Sequence, residues 1–152
     1  MAQAAQDIRI DQDPGQYHRM FDRQTGLPRW PLLLDRTSIA LARANRRDCV
    51  IAVFVLEDPR GFDGTVPDFA EFAGRLQSLV RPDDTVGRAA HRTFVVVCNE
   101  IARDQDAAAV ARRLVQSSGV LCKLGVALGR PDDSPQSLIG RALGEAGRTF
   151  DD

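Results

Sequence analysis

Residues 76–99 read LQSLVRPDDTVGRAAHRTFVVVCN, and this stretch decides the fold. A helical pattern ends at Arg81-Pro82, because proline disfavours the helical conformation in the residue before it. Two short strands are predicted near Thr85–Arg88 and Phe94–Asn99, and the few residues between them can form only a tight hairpin. The stretch therefore predicts a helix that leads into a hairpin of two strands.

Apolar patterns on both sides of this stretch complete the predicted fold. Cys49–Leu56 is a continuous apolar run, typical of a strand buried on both faces, and Val120–Ala127 predicts the last strand. Helical spacing of apolar residues predicts helices over 31–45, 67–80, 104–117 and 134–148. The result is an α+β fold with a ferredoxin-like β-α-β-β-α-β core and extra helices at both ends. We expect a mixed sheet covered on one face by helices.

The domain boundaries follow from length and polarity. A chain of 152 residues is the size of one ordinary domain. Residues 1–16 are polar, carry Pro14 and Gly15, and show no clear period. We therefore expect a polar tail or linker over residues 1–16 and a single domain over residues 17–152.

The composition excludes several classes of function. The formal net charge of −1 gives no reason to expect nucleic-acid binding. No apolar run approaches the roughly 18 residues that span a bilayer, and no signal peptide is present, so we expect no membrane contact and a cytoplasmic location. Cys49, Cys98 and Cys122 are widely spaced and form no zinc motif, so no metal or other cofactor is expected.

Several short motifs stand in a characteristic order along the chain. They are Asp22–Pro28 (DRQTGLP), residues 76–88, Phe94–Val97, and Leu124–Ala127 followed by Pro131–Asp133. In this order they resemble the GGDEF family of diguanylate cyclases, whose opening signature is Asp-x-Leu-Thr-Gly-Leu-Pro. The resemblance covers nearly the whole chain and implies the nucleotide-cyclase-like fold of that family.

The signature hairpin departs from the family pattern. Ala90, His91, Arg92, Thr93 and Phe94 stand where the family has Gly-Gly-Asp/Glu-Glu-Phe. The resemblance implies that the glycines admit a nucleotide phosphate and that the first carboxylate binds a divalent metal ion. Here larger side chains replace both glycines, and a permanent cation replaces the metal ligand. We therefore expect no catalytic residues, no bound metal and no cyclase activity.

The first predicted strand departs from the family in the same way. Glu57 and Asp58 stand in the place of an Asp-x-Asp-x-Phe-Lys pattern. Glu57 remains a candidate acidic ligand, but its partner in the family pattern is missing. This second departure strengthens the expectation of a degenerate, inactive domain.

A second family feature is retained at Arg81 and Asp84. The resemblance implies an inhibitory cyclic-di-GMP site, Arg-x-x-Asp, five residues before the signature, and this pair has that spacing. An arginine fork can pair with guanine O6 and N7, and a carboxylate can accept from the N1–H and amino groups. Arg113 falls close to the family's third contact, with Arg112 as the alternative.

Placement alone gives this pair its meaning. The same pattern occurs at Arg19/Asp22, Arg60/Asp63, Arg103/Asp106, Arg130/Asp133 and Arg148/Asp151. Proline and aspartate are also ordinary residues of a turn that ends a helix. The main hypothesis is an inactive domain that senses cyclic di-GMP and alters contacts with a protein partner, a second domain or another copy. The alternative is a ligand-free interaction or dimerisation module that uses the rewritten hairpin.

Overall fold

The computed structural model describes residues 19–148, so the predicted tail over residues 1–16 lies outside the described residues. Along this part of the chain the elements follow the predicted order. Their bounds are α1 Trp30–Arg47, β1 Val50–Arg60, α2 Phe69–Ser78, β2 Thr85–Ala90, β3 Thr93–Ile101, α3 Asp104–Ser117, β4 Leu121–Leu128 and α4 Pro135–Arg148. The α+β, ferredoxin-like fold class is therefore confirmed.

β1 is a central strand of the sheet and is buried on both faces. Each residue from Ile51 to Leu56 is at most 1% exposed. The even-numbered residues of this run pack in a core with α2 and α3, and the odd-numbered residues pack in a second core with α1 and α4. The alternation follows from the two-residue period of a strand, and it confirms the interpretation of the apolar run.

The sheet has the order β2-β3-β1-β4, and each neighbouring pair of strands is antiparallel. The predicted mixed sheet is therefore wrong. The β2–β3 hairpin reverses the chain, so β3 enters between β1 and β2 with the opposite direction to both. The predicted cover on one face is also wrong, because α1 and α4 pack against the second face.

Side-chain contacts cap the first turns of two helices. The Ser134 hydroxyl accepts a hydrogen bond from the Ser137 backbone N–H at 3.0 Å, and Pro135 is the first residue of α4. At the start of α2, the Asp68 carboxylate accepts from the backbone N–H groups of Ala70 and Glu71.

Within residues 19–148, no helix is long and apolar enough to cross a membrane.

α4 approaches β4 most closely at Gly125. A Cβ atom on this residue would lie 1.8 Å from the carbonyl oxygen of Ala142 and 2.4 Å from the backbone nitrogen of Ala146. Both alanines are fully buried. The absence of a side chain at Gly125 therefore sets the distance between this helix and the sheet.

We expect Gly125→Ala to lower the free energy of unfolding by about 3 kcal/mol, because the new methyl group would push α4 away from the sheet. Gly140→Ala in the same helix is the matched control, since a Cβ there has no neighbour within 4 Å. That substitution should stabilise the protein by about 0.5–1 kcal/mol. Urea unfolding of both variants measures the difference, and equal stabilities would contradict the packing described here.

Candidate functional site

The turn between α2 and β2 is built around the carboxylate of Asp84. Its Oδ2 accepts the backbone N–H of Arg81 at 3.0 Å, and its Oδ1 accepts the backbone N–H of Asn99 at 2.9 Å. The side chain is only 3% exposed. Asp84 therefore closes the turn and ties it to β3.

Arg81 lies along the same edge of the sheet with its side chain 54% exposed. Its Nη2 donates a hydrogen bond to the carbonyl oxygen of Asn99, and its Nε lies 3.6 Å from Asp84 Oδ2. These two contacts hold one side of the guanidinium group. Arg81 is therefore paired with the turn while about half of its side chain faces solvent.

Cys98 lies in β3 directly before Asn99 and is buried. Burial raises the pKa of its thiol to about 12, and the negative charge of Asp84 acts in the same direction. The positive charges of Arg81 and Arg113 oppose this rise. Arg81, Asp84 and Arg113 therefore lie within electrostatic range of this thiol, and the choice between Arg113 and Arg112 as the third member stays a prediction.

Asn99 lies in β3 and bonds to this turn. The sequence analysis did not identify it as a site residue. Its backbone bonds to Asp84 and Arg81 are joined by a third, from its side-chain Nδ2 to the carbonyl oxygen of Asp83 at 2.7 Å. The residue is 6% exposed. The available signal was a polar residue at the end of the apolar run FVVVCN, and that signal does not reveal its partners.

The signature hairpin is tight, as predicted. β2 ends at Ala90 and β3 begins at Thr93, and these two residues pair across a turn formed by His91 and Arg92. His91 is exposed at the tip, and its ring meets Phe69 edge-on at 5.5 Å between ring centroids. The rewritten residues therefore form an ordered turn without the two glycines of the family.

Arg92 fastens this hairpin to the end of β1. Its Nε lies 3.2 Å from the Asp58 carboxylate, and its Nη2 donates to the carbonyl oxygen of Pro59 at 3.1 Å. Asp58 has a φ of 54°, and its backbone N–H donates back to the Arg92 carbonyl oxygen at 2.9 Å. Over the described part of the chain, no group of three or more His, Cys, Asp or Glu side chains is placed to hold a metal ion.

Arg88, in β2, is a buried cation that the sequence analysis missed. Its Nη1 donates to Asp22 Oδ2 at 2.9 Å and to Gln24 Oε1 at 2.8 Å, and its Nη2 donates to the His91 carbonyl oxygen at 2.6 Å. The guanidinium carbon lies 4.8 Å from the centroid of the Phe69 ring. Burial raises the pKa of Asp22, but hydrogen bonds from Thr25 and Arg88 outweigh it and leave the pKa below its ordinary value.

The opening motif and the hairpin thus lie together, joined by the side chain of Arg88. The Arg88 backbone N–H also donates to the carbonyl oxygen of Pro28 at 2.9 Å, so the motif pairs with the edge of β2. The family model described as "Diguanylate cyclase, GGDEF domain" matches residues 19–142. The chain belongs to the GGDEF domain family.

Solved GGDEF structures share the fold. A sensory box/GGDEF family protein from Caulobacter crescentus is 25% identical with a TM-score of 0.73, and the match covers 87% of this chain and 98% of that one. The GGDEF domain of DgcB from the same organism, solved in complex with c-di-GMP, is 18% identical with a TM-score of 0.70, covering 86% and 89%. Among curated proteins, none matches the chain.

A third GGDEF structure extends the match to nearly the whole chain. It is the diguanylate cyclase SiaD from Pseudomonas aeruginosa, solved in complex with its activator SiaC. It is 22% identical with a TM-score of 0.72, and the match covers 97% of this chain and 65% of that one. At this identity the likeness concerns the fold of the GGDEF domain.

We expect Arg88→Met to lower the free energy of unfolding by about 3 kcal/mol, because it leaves the Asp22 carboxylate without its buried cation. Arg47→Met is the matched control, since the Arg47–Glu100 pair is largely exposed, with 60% and 45% of the two side chains accessible. That loss should stay below about 1 kcal/mol. Denaturant unfolding distinguishes them, and a small loss for both would mean that the buried pair does not support the GGDEF fold.

The pair of Arg88 and Asp22 gives the GGDEF domain an acid-sensitive component of stability. Because the pKa of Asp22 is lower in the folded state than in the unfolded state, this component is complete above about pH 4. It disappears as the pH falls through the folded-state pKa. Asp22→Asn should therefore flatten the fall in melting temperature with acid, and an unchanged slope would contradict the assignment.

Proposed function

We propose that this GGDEF domain is catalytically inactive. The reaction implied by the family joins two GTP molecules and requires carboxylates that hold divalent metal ions. Arg92 replaces one such carboxylate, and its guanidinium group lies 3.2 Å from the carboxylate of Asp58. A fixed cation in this position repels a metal ion and occupies the neighbouring acid. The side chains of Ala90 and His91 further narrow the space for a phosphate.

Incubation of the protein with GTP and Mg²⁺ or Mn²⁺ should yield no cyclic di-GMP by liquid chromatography. A catalytically active GGDEF domain assayed in parallel is the control for the reagents. Arg92→Glu should restore measurable Mn²⁺ binding in calorimetry, because it returns a carboxylate next to Asp58. Product formed by the unaltered chain would overturn the proposal.

We further propose that the domain senses cyclic di-GMP through Arg81, Asp84 and Arg113. The observation that supports this most directly is the pairing of Arg81 with Asp84 in one ordered turn, with the Arg81 side chain 54% exposed. The half-exposed fork of Arg81 would pair with O6 and N7 of a guanine base, and Arg113 would meet a phosphate. The DgcB domain solved with c-di-GMP supports the choice of ligand.

Asp84 has two parts in this proposal. Each of its oxygens already accepts one backbone N–H, and an ionised carboxylate offers about four lone-pair sites. The remaining sites would accept the N1–H and amino group of guanine. Because the side chain is 3% exposed, this contact requires Arg81 to move away from the Asn99 carbonyl as the base enters.

Titration calorimetry with cyclic di-GMP tests the site. We expect binding by the unaltered protein and at least a tenfold loss of affinity in Arg81→Ala, since a charge-assisted pair to the base is lost. Arg103→Ala is the matched control, because Arg103 belongs to an exposed copy of the same sequence pattern. Comparison of Arg113→Ala with Arg112→Ala identifies the third contact. Absence of binding up to about 100 μM ligand would exclude the proposal, since a Kd of that size corresponds to a binding free energy of about −5.5 kcal/mol.

The second candidate function is a ligand-free interaction module. It is favoured by the hairpin itself, which Arg88 and Arg92 hold in place through contacts within the chain. Its partner would be a second domain, another protein or another copy of the chain, and SiaD, solved with SiaC, is a relative that assembles with a protein. Association that is independent of nucleotide and broken by substitution of His91 would favour this function over the first.

A further inference from the structure

One polar atom of β3, next to the turn, is buried and has no hydrogen-bond partner. It is Oδ1 of Asn99, a residue whose other polar groups are all engaged. Turning the amide over does not solve the problem, because Oδ1 would then face the carbonyl oxygen of Asp83, where Nδ2 now donates at 2.7 Å. A buried acceptor without a donor from the protein is costly and rare, so this atom is a candidate contact for a bound group.

The side chain of Asn99 lines a cleft of about 260 Å³ between α1 and the turn. Asp83 lies on the same side as Asn99, and Arg36, Ile39 and Arg43 of α1 form the opposite side. Whole ligand pockets are usually roughly 300–1,000 Å³, so this cleft suits a single base better than an entire dinucleotide.

The cleft lies on the other side of the sheet edge from Cys98. Val95 and Val97 of β3 pack in the core under α1 and α4, and Cys98 packs in the core under α2 and α3. By the alternation of a strand, Asn99 lies on the α1 side. The cleft therefore faces α1 whereas Cys98 faces α2 and α3, and the two sides meet at the turn, where Asp84 also lines the cleft.

The chemistry of the two walls is complementary to guanine. Asn99 Oδ1 and the Asp83 carboxylate are acceptors, and guanine offers N1–H and amino donors along one edge. The guanidinium groups of Arg36 and Arg43 are donors, and guanine O6 and N7 are acceptors. Asp83 and Asp84 both line the cleft and balance the charges of Arg36 and Arg43, and the resulting absence of net charge disfavours an isolated phosphate.

We infer that this cleft is a second guanine-reading subsite, in which Asn99 Oδ1 accepts an N–H of the base. The inference rests on the proposed function for the choice of ligand, because cyclic di-GMP carries two guanine bases. The side chains of Arg36 and Arg43 are exposed, so they can turn to admit the base and then donate to it. Asn99 is then the residue that selects guanine over adenine, since adenine has no N1–H.

NMR titration of the full chain with GMP, IMP and AMP tests this assignment. We expect GMP to shift the side-chain amide of Asn99 and the backbone amides of Ile39 and Ala40. IMP lacks the amino group and should bind about fivefold more weakly, and AMP at least tenfold more weakly. Equal responses to GMP and AMP, or no response in the cleft, would overturn the inference and leave a solvent molecule as the partner of Oδ1.

Two variants distinguish recognition of the base by Asn99 from a purely structural role of this residue. Asn99→Ala should abolish the preference for GMP over AMP while leaving the acceptor of Arg81, which is the backbone carbonyl. Ile39→Trp fills the cleft from an exposed position and leaves the bonds of Asn99 intact, so it should also abolish GMP binding. Retention of the GMP preference in either folded variant would overturn the inference.

Failure of the inference and failure of the proposed function have different signatures. Cyclic-di-GMP binding that requires Arg81 but is unchanged by Asn99→Ala and Ile39→Trp would refute the second subsite alone. GMP shifts at Ile39 and Asn99 without any cyclic-di-GMP affinity at Arg81 would support the subsite and refute the proposed sensor.

Discussion

The buried guanidinium of Arg88 joins three parts of the chain that are far apart in sequence. It pairs with Asp22, 66 residues earlier, bonds to the hairpin backbone at His91, and stacks on Phe69 of α2. A charge removed from water is tolerated only with such complete pairing, so the opening motif and the hairpin fix each other's position. Gly87 allows the opening motif and α1 to approach β2, because a Cβ there would lie 3.2 Å from the carbonyl oxygen of Pro28 and 2.8 Å from a methyl carbon of Leu33.

Much of the fold could be predicted because its signals are local. Apolar periodicity identified the elements to within a few residues, although β1 extends past the predicted end at Leu56 to Arg60. An irregularity between Glu57 and Arg60, with Asp58 in the left-handed region, lets this polar end continue to pair with β4. The predictions of a mixed sheet and of helices on one face only were wrong, because periodicity does not say which strands become neighbours.

The site was predictable only where it follows a sequence motif. Arg81 and Asp84 were placed by their distance from the hairpin, and the structure pairs them in one turn. Asn99 and Arg88 were missed because their partners come from elsewhere in the chain. Asn99 meets Asp84 across 15 residues, and no spacing rule relates a strand end to a preceding turn. The resemblance indicated which residues had changed, but not that Arg92 would find Asp58.

The ion pair of Arg92 and Asp58 has a consequence for how the hairpin responds to its surroundings. A metal ion is exchanged with the solvent, and its occupancy rises and falls with supply. The guanidinium group is covalently part of the chain, so it is present in every molecule and no chelator removes it. The contact that holds this hairpin is therefore constitutive: it forms when the protein folds and has no exchangeable component.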